Sequence, residues 1–409
     1  MAWCCAEPAL IAPPPLSVHS LNTDDHIQIP RDEIIAQARV VAAGDIMLHN
    51  SVKTSAHRAA DTHGNNGYDA LFDGLRPMVQ NADLAFANME FPVAPVHGRG
   101  TGSMVFNGPV AALDAIADAG FDVVSFANNH SFDQGRAGHI ETIEQLEASR
   151  LDFVGAGHNC EEAQSPKIFE VNGIRIAIIA GSRFYNTYID DGPDNPCNFY
   201  ILGTQEILSR ISQARQMADF VIVSIHWGVE YKHDPLIWDK NLAHIIVEAG
   251  ADVLLGHHVH VLQPVEIVDT KDGRTAAIIY SMGNVISGQG YHYRHGRHPL
   301  GVGATRDGVL FGFTVRQIQR GDATLTTLAD VYAEPIWTWR QPHPANAANI
   351  RTVINTVMVD ELLARAQNEP DAAKRQALIE QADMLMVRRR QAGAIVGQQW
   401  LPPWQPLSP

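Results

Sequence analysis

From residue 39 onward the chain repeats one pattern: a short apolar run, a polar loop, then a stretch of helical periodicity. The apolar runs fall at 40–46, 84–88, 123–127, 174–180, 220–225, 253–255 and 277–280. They are rich in Val, Ile and Ala and carry few polar residues, as strands covered on both faces do. The spacing predicts helices at about 68–80, 110–119, 136–149, 204–217 and 236–249. Strands alternating with helices of this length predict an α/β layered fold. A strand pair is expected at 308–317 and 323–332, and two helices between 345 and 394. The expected organisation is an N-terminal arm (1–34), a metallo-domain (35–335) and a helical C-terminal extension (336–409).

The polar residues matter more than the apolar ones, because nearly every run stops on a side chain that can bind a cation. VVAAGD stops on Asp45, LAFANME on Asn88 and Glu90, and VVSFANNH on Asn128, Asn129 and His130. VIVSIH stops on His226, ADVLLGHHVH on His257, His258 and His260, and IIYSMGN on Asn284. Open α/β sheets bind ligands outside the carboxyl ends of their strands. A single such Asp more often caps a helix, and a single His is more often an ordinary hydrogen-bonded residue. Strand ends of this kind, repeated six times along the chain, predict one shared site. Carboxylate, amide oxygen and imidazole together suit a divalent cation (Ca, Mg, Mn or Zn), one or two per chain. No cysteine belongs to the set, which excludes a thiolate zinc site.

Charge and cysteine content narrow the setting. The formal net charge of -15 argues against nucleic acid or an anionic membrane surface as partner. No apolar run approaches the roughly 18 residues of a membrane span. The opening MAWCCAEPALIAPPPL lacks the basic and apolar regions of a secretory signal. Four cysteines, two of them adjacent, do not read as a disulfide framework. A cytoplasmic protein is therefore expected; the oligomeric state is left open.

The segments AAGDIML, ANMEFPV, SFANNHSFDQG, SIHWGVEY, GHHVHVLQPVE and YSMGNVISGQ resemble the calcineurin-like metallophosphoesterases, and among them the CapA-type capsule and poly-γ-glutamate synthesis family. The resemblance implies a four-layer α/β/β/α sandwich with its metal site at the sheets' carboxyl edge. It implies Asp45, Glu90, Asn129, His226, His258 and His260 as metal ligands. It gives His130 an acid/base role and leaves Asn128, His257 and Asn284 behind the ligands. The chain departs from the family where a typical member has Asp-x-His, since Asp45 is followed by Ile46 and Met47.

That departure shifts the expected chemistry. The chain resembles soluble members of the family that epimerise lasso peptides, inverting the Cα of a precursor peptide's C-terminal residue. The expected partner is then the precursor peptide. Inversion needs a base on one face and an acid on the other. His130 is the candidate for one face. His295, in GQGYHYRHGRHP with His292 and His298, is the candidate for the other; Asp45 and Asp133 are carboxylate partners. Arg294 and Arg297 are expected to hold a peptide carboxylate, with Trp227, Glu230 and Tyr231 lining the pocket. The alternatives are phosphoester hydrolysis or capsule-polymer synthesis, and a non-catalytic metal-containing peptide-binding module.

Overall fold

Nearly every apolar run becomes a strand, and the strands sort into two sheets with helices outside each. The computed structural model describes residues 32–102, 104–186, 196–201, 203–343 and 347–406. The first sheet passes through Ala347–Ile354, Ala323–His343, Asp307–Arg320, Glu33–Ile46, Leu84–Met89, Val123–Ser125 and Asp152–Val154. Asn284–Ile286 pairs with the end of Glu33–Ile46. The second sheet passes through Val265–Asp269, Thr275–Ile279, Val253–His257, Phe220–His226, Ile174–Ser182 and Lys167–Val171. Strands at the middle of each sheet pair in parallel, so their carboxyl ends share one edge.

Side-chain alternation along the strands builds the layers. Val40, Ala42 and Phe86 join Ile176, Ile178 and Ile222 in the core between the sheets. Val41, Ala43, Ala85 and Ala87 point the other way, to Leu113 and Ile116 of the helix Val110–Ala119. On the second sheet Ile179, Val221 and Val223 meet Ile207 and Ile211 of Thr204–Met217, and Ala243 and Ile246 of Ile237–Glu248. The order is helix, sheet, sheet, helix, as the four-layer expectation had it. Because both faces of each sheet are buried, the strands read as continuous apolar runs.

Several details differ from the expectation. The helix expected at 68–80 is split into a 3-10 turn, Asn65–Leu71, and the short helix Arg76–Val79. Asn66 and Gly67 adopt φ of 53° and 85°, and Pro77 fits only the first turn of a new helix. A further helix, Asn50–Arg58, follows the first strand. The strand Ala323–His343 runs through the expected boundary at 335/336, and Ala347–Ile354 adds an edge strand where a helix was expected. Trp337 and Trp339 alternate with polar residues there, giving a period of two rather than 3.6. The two expected helices come later, as Asn355–Asn368 and Ala372–Val396. They pack over Trp337 and Trp339, and Ala392 and Val396 reach the core between the sheets. Of the expected arm, residues 1–31 lie outside the described residues, and strand pairing begins at Glu33.

The cysteine reading also needs correction. Cys160 and Cys197 are joined in a disulfide 37 residues apart in sequence. Antiparallel pairing of Ala156–Gly157 with Cys197–Asn198 brings them together, a long-range contact that cysteine spacing does not reveal. Disulfides persist in oxidising compartments, so this bond weighs against the expected cytoplasmic setting. Among the described residues, no helix is long and apolar enough to cross a membrane.

Candidate metal centre

The carboxyl edges of the two sheets meet, and the strand-end polar residues meet with them. Within the first sheet Asp45 lies beside Asn88 and Asn284; within the second, His226 lies beside His257. Across the gap, Asp45 Oδ1 lies 3.1 Å from His257 Nδ1, and Asp45 Oδ2 lies 3.2 Å from His260 Nδ1. The backbone N–H of His258 donates to Asp45 Oδ2 at 3.2 Å, and Asn88 Nδ2 donates to Oδ1 at 2.8 Å. Backbone crowding makes this approach possible only with glycine before two of these residues, Asp45 and His257. A Cβ on Gly44 would lie 1.9 Å from the Gly283 oxygen, and one on Gly256 would lie 1.9 Å from that of Tyr280. His258 and His260 hold φ of 88° and 57°, a left-handed conformation that costs non-glycine residues about 1–3 kcal/mol each. Strain of this kind concentrates at functional sites.

Glu90 is at the centre of the cluster. Its donor atoms group with those of His226 and His258, and separately with those of Asp45 and His260, all within 4.8 Å of one another in each group. The carboxylate is fully buried, yet neither oxygen has a hydrogen-bond partner among the described residues. Oε1 stands 3.6 Å from His226 Nε2 and 3.8 Å from His260 Nε2. Those gaps are too long for hydrogen bonds. They are near the separation of about 3.0–3.4 Å expected between two ligands that share a cation at bonds of about 2.1 Å. Asn129 Oδ1 and His258 Nδ1 converge on His226 Nε2, at 2.8 and 3.1 Å, and complete the second group. A divalent cation therefore fits: Asp45, Glu90 and His260 would hold one, and Glu90, Asn129, His226 and His258 another.

The titration behaviour follows from burial. Glu90 is pushed well above the usual carboxylate range, first by burial and then by the negative charges of Asp45, Glu230 and Asp133. Burial pushes Asp45 up as well, but its hydrogen bonds to His257 and His260 outweigh this and hold it well below. His226 is held well below the usual imidazole value by burial and by His258, and His258 is brought down to about 4 by burial and His260.

Beside the cluster stands His130, also buried. Its Nδ1 lies 2.8 Å from Asp133 Oδ2, which also accepts from the Phe106 backbone N–H at 2.7 Å. The carboxylate thus fixes the ring, and Nε2 faces Glu90 Oε1 at 3.9 Å. Asn128 shapes the loop: its Oδ1 accepts from the His130 N–H at 3.1 Å, and its Nδ2 donates to the Met89 oxygen at 2.8 Å. Asn284 Oδ1 lies 3.1 Å from His260 Nδ1 and orients that ring.

Two residues here were not anticipated. Half-buried His49, just before the helix Asn50–Arg58, stacks edge-on against Phe106 with ring centres 4.9 Å apart, and Phe106 also packs against His130 with ring centres 4.5 Å apart. Burial brings His49 down to about 4, with further lowering from His260 and His130. Its position four residues after Asp45 was the available signal. Asn186 accepts from Asn129 Nδ2 at 3.0 Å and places its own amide 3.2 Å from His130 Nδ1.

Other expected members stand elsewhere. His295 is exposed and lies 3.2 Å from the Tyr293 hydroxyl, in a separate cleft with Arg294; it is not one of the groups at the metal cluster. The loop is drawn there by Tyr293, which is buried against Trp337. Arg297, His292 and His298 are exposed on the same loop. Trp227 is buried, stacks on Tyr280 and donates to the Tyr280 oxygen at 3.0 Å. Tyr231 does reach the site's rim, with its ring 6.2 Å from that of His260.

The buried imidazoles make a pH prediction for the metal-free protein. His49, His139, His226 and His258 all bind protons less readily when folded than the unfolded value of 6.5. As pH falls from 6.5 towards 4 the unfolded chain takes up more protons, so stability is lost. Buried carboxyls act in the opposite sense, Glu90, Asp122, Asp239, Asp252, Asp307 and Glu334 among them, but of these only Glu90 is moved well above the usual carboxylate range. The midpoint of urea denaturation should be lower at pH 5 than at pH 7. An equal or higher midpoint at pH 5 would contradict the assignment of buried neutral rings.

Residues 39–289 match the family described as Bacterial capsule synthesis protein PGA_cap. The chain is similar to the capsule biosynthesis protein CapA of Bacillus anthracis, at 31% identity over 61% of this chain and 59% of that one. It is similar to the PGA biosynthesis protein CapA of Bacillus subtilis (strain 168), at 30% identity over 64% of this chain and 65% of that one. The matches thus cover less than two thirds of either relative. Among solved structures, the NAD nucleotidase of Haemophilus influenzae is similar over 87% of this chain and 60% of that one, at 12% identity and a TM-score of 0.44.

Proposed function

The chain belongs to the bacterial capsule synthesis protein PGA_cap family, and from that premise we propose that it is a metal-dependent enzyme that inverts the Cα of a peptide's C-terminal residue. The observation that carries the reading is the buried His130–Asp133 pair, 2.8 Å apart, with ring atom Nε2 3.9 Å from Glu90 and 3.3 Å from the Asn186 amide. Asp133 holds the imidazole in one tautomer, so Nε2 is the atom that takes or gives the proton. Inversion needs a second group, and His49 supports the role first read into His295. It is uncharged near neutral pH, and it shares the Phe106 ring with His130. A divalent cation in this cluster would stabilise the negative charge that builds when a proton leaves the carbon next to a carboxylate. Met47 supports proton transfer over hydrolysis. It is buried in the core at the position where the resembled phosphoesterases carry a histidine, which leaves the Asp45, Glu90 and His260 group one ligand short.

Hydrolysis of a phosphoester is the second reading, and Glu90 favours it. This one carboxylate belongs to both donor groups, as a bridge between paired cations would. The two Bacillus relatives are named for capsule and PGA biosynthesis, so the substrate of either reaction would be a component of such a polymer or a peptide related to it.

Deuterium oxide separates the readings. The protein, with Mn or Mg added, is incubated with short peptides bearing free C-termini, and in parallel with a generic phosphodiester. Epimerisation places one deuterium at the terminal Cα and stops when the cation is chelated. His130→Ala and His49→Ala should each slow the exchange by about 10²–10⁴-fold, the usual contribution of a positioned acid or base. Phosphodiester turnover without Cα exchange would replace this reading with the second one.

A further inference from the structure

A second cleft, of about 960 Å³, opens between the helix Asn50–Arg58, the loop after Asn284 and the strands Ala323–His343 and Ala347–Ile354. Arg58, Arg294, Arg306, Arg340, His295 and Trp339 contribute to its wall, and no Asp or Glu does. This runs against the composition of a chain with 45 acidic residues to 30 basic ones. None of the four arginines forms an ion pair among the described residues. Arg58 Nε donates to Asn349 Oδ1 at 3.4 Å, Arg294 Nη1 to the oxygens of Tyr291 and Tyr293 at 3.0 and 2.9 Å, and Arg306 Nε to the Thr338 oxygen at 2.8 Å. All of these acceptors are neutral.

The deeper two are the informative ones. Arg306 is only 5% exposed, and its guanidinium lies 4.2 Å over the Trp337 ring. Arg340 Nη1 is buried with no hydrogen-bond partner. Burial draws both guanidinium groups below their usual value, and each is lowered further by a neighbouring arginine. A buried cation without a counter-ion is costly, and so is a cluster of like charges. Nearby Asp307 offsets Arg306 only in part, because its carboxylate is paired with Arg388.

We propose that this cleft binds a ligand carrying two or more oxyanion groups, carboxylate or phosphate, which the four arginines share. Planar guanidinium forks match both oxyanions, and Trp339 offers an apolar wall to the part of the ligand between its charges. The volume is in the range of ordinary small-molecule sites. The site does not depend on the reaction at the metal centre. The two are neighbours, however: Arg340 acts electrostatically on His49, as His130 and His260 of the metal centre do.

The test is calorimetric titration of the full chain with citrate and, separately, inorganic tripolyphosphate, with and without added divalent cation. At least one anion should bind saturably in the absence of cation, and more weakly as salt rises. Arg340→Gln and Arg294→Gln should each weaken binding by about tenfold or more, as expected for a lost charge-assisted hydrogen bond. Lys240→Gln, which removes one charge on an exposed helix, should bind like the parent. Arg294 stands on an exposed loop, so its variant decides the matter if Arg340→Gln does not fold. Binding of citrate alone assigns the site to carboxylates, and binding of tripolyphosphate alone to phosphates. Absence of saturable binding by both, parent-like binding in the arginine variants, or an equal loss in Lys240→Gln would overturn the proposal. Loss of Cα exchange in the preceding experiment would leave it standing.

Discussion

Glu90→Gln is expected to abolish cation binding and activity while leaving the metal-free protein as stable as the parent, or more so. The two effects have one cause. Glu90 alone belongs to both donor groups, so its loss weakens each of them. Without a cation its carboxylate is fully buried, lacks hydrogen-bond partners, and sits near Asp45 and Asp133. An amide of the same shape carries no charge to desolvate. Activity should fall about a thousandfold or more, since a bound cation contributes several kcal/mol of transition-state stabilisation and each 1.36 kcal/mol is a factor of ten. Thermal melts give the clearest readout. Cation at a hundredfold excess over its Kd should stabilise the parent by about 2.7 kcal/mol and leave the variant unmoved. A variant that still gains stability from the cation would show that Glu90 is not a ligand.

Asp307→Ala is expected to be the most damaging substitution outside the metal centre. Arg388 is fully buried in the helix Ala372–Val396. Its guanidinium makes paired contacts with the Asp307 carboxylate, one of them at 2.9 Å, and also donates to the Leu300 oxygen at 2.8 Å. The same group lies 4.7 Å from the Trp337 ring centre. Removing the carboxylate strands a buried cation, which costs about 3–5 kcal/mol. Asp307→Leu combined with Arg388→Met should recover much of that loss, because well-packed apolar pairs replace buried ion pairs at little cost. Urea denaturation checks both variants, and a loss below about 1 kcal/mol in Asp307→Ala, the range of an exposed pair, would contradict the account. The single variant should also weaken anion binding, since Gln381 and Met384 of the same helix border the cationic cleft.

The clustering of the strand-end polar residues was legible in the sequence because of where sheets place polar residues. A strand covered on both faces stays apolar until it leaves the sheet, and its first polar residue then marks the carboxyl edge. Asp45, Glu90, Asn129, His226, His258 and His260 all stand there, and all take part in the cluster. Asp133 could be paired with His130 for a similarly local reason, as the two are three residues apart. An α/β layered fold was legible too, since it follows from apolar runs alternating with helical stretches, while the four-layer order was implied only by the family resemblance.

Tertiary structure decided everything that depends on which segments meet. Asp45 and His257 are 212 residues apart and come within 3.1 Å only because the two sheets pack face to face with their carboxyl edges aligned. That packing makes Glu90 common to two donor groups. The histidine-rich loop looked like part of the site because it follows Asn284 directly. Tyr293 instead carries it to Trp337, on a strand that the tail extends well past its expected end. The same placement gathers four arginines from separate segments into one cleft. Periodicity records which side of an element is buried, because that is set by neighbours one to four residues away. Which buried side finds which partner is set by contacts hundreds of residues apart, and local pattern carries no trace of them.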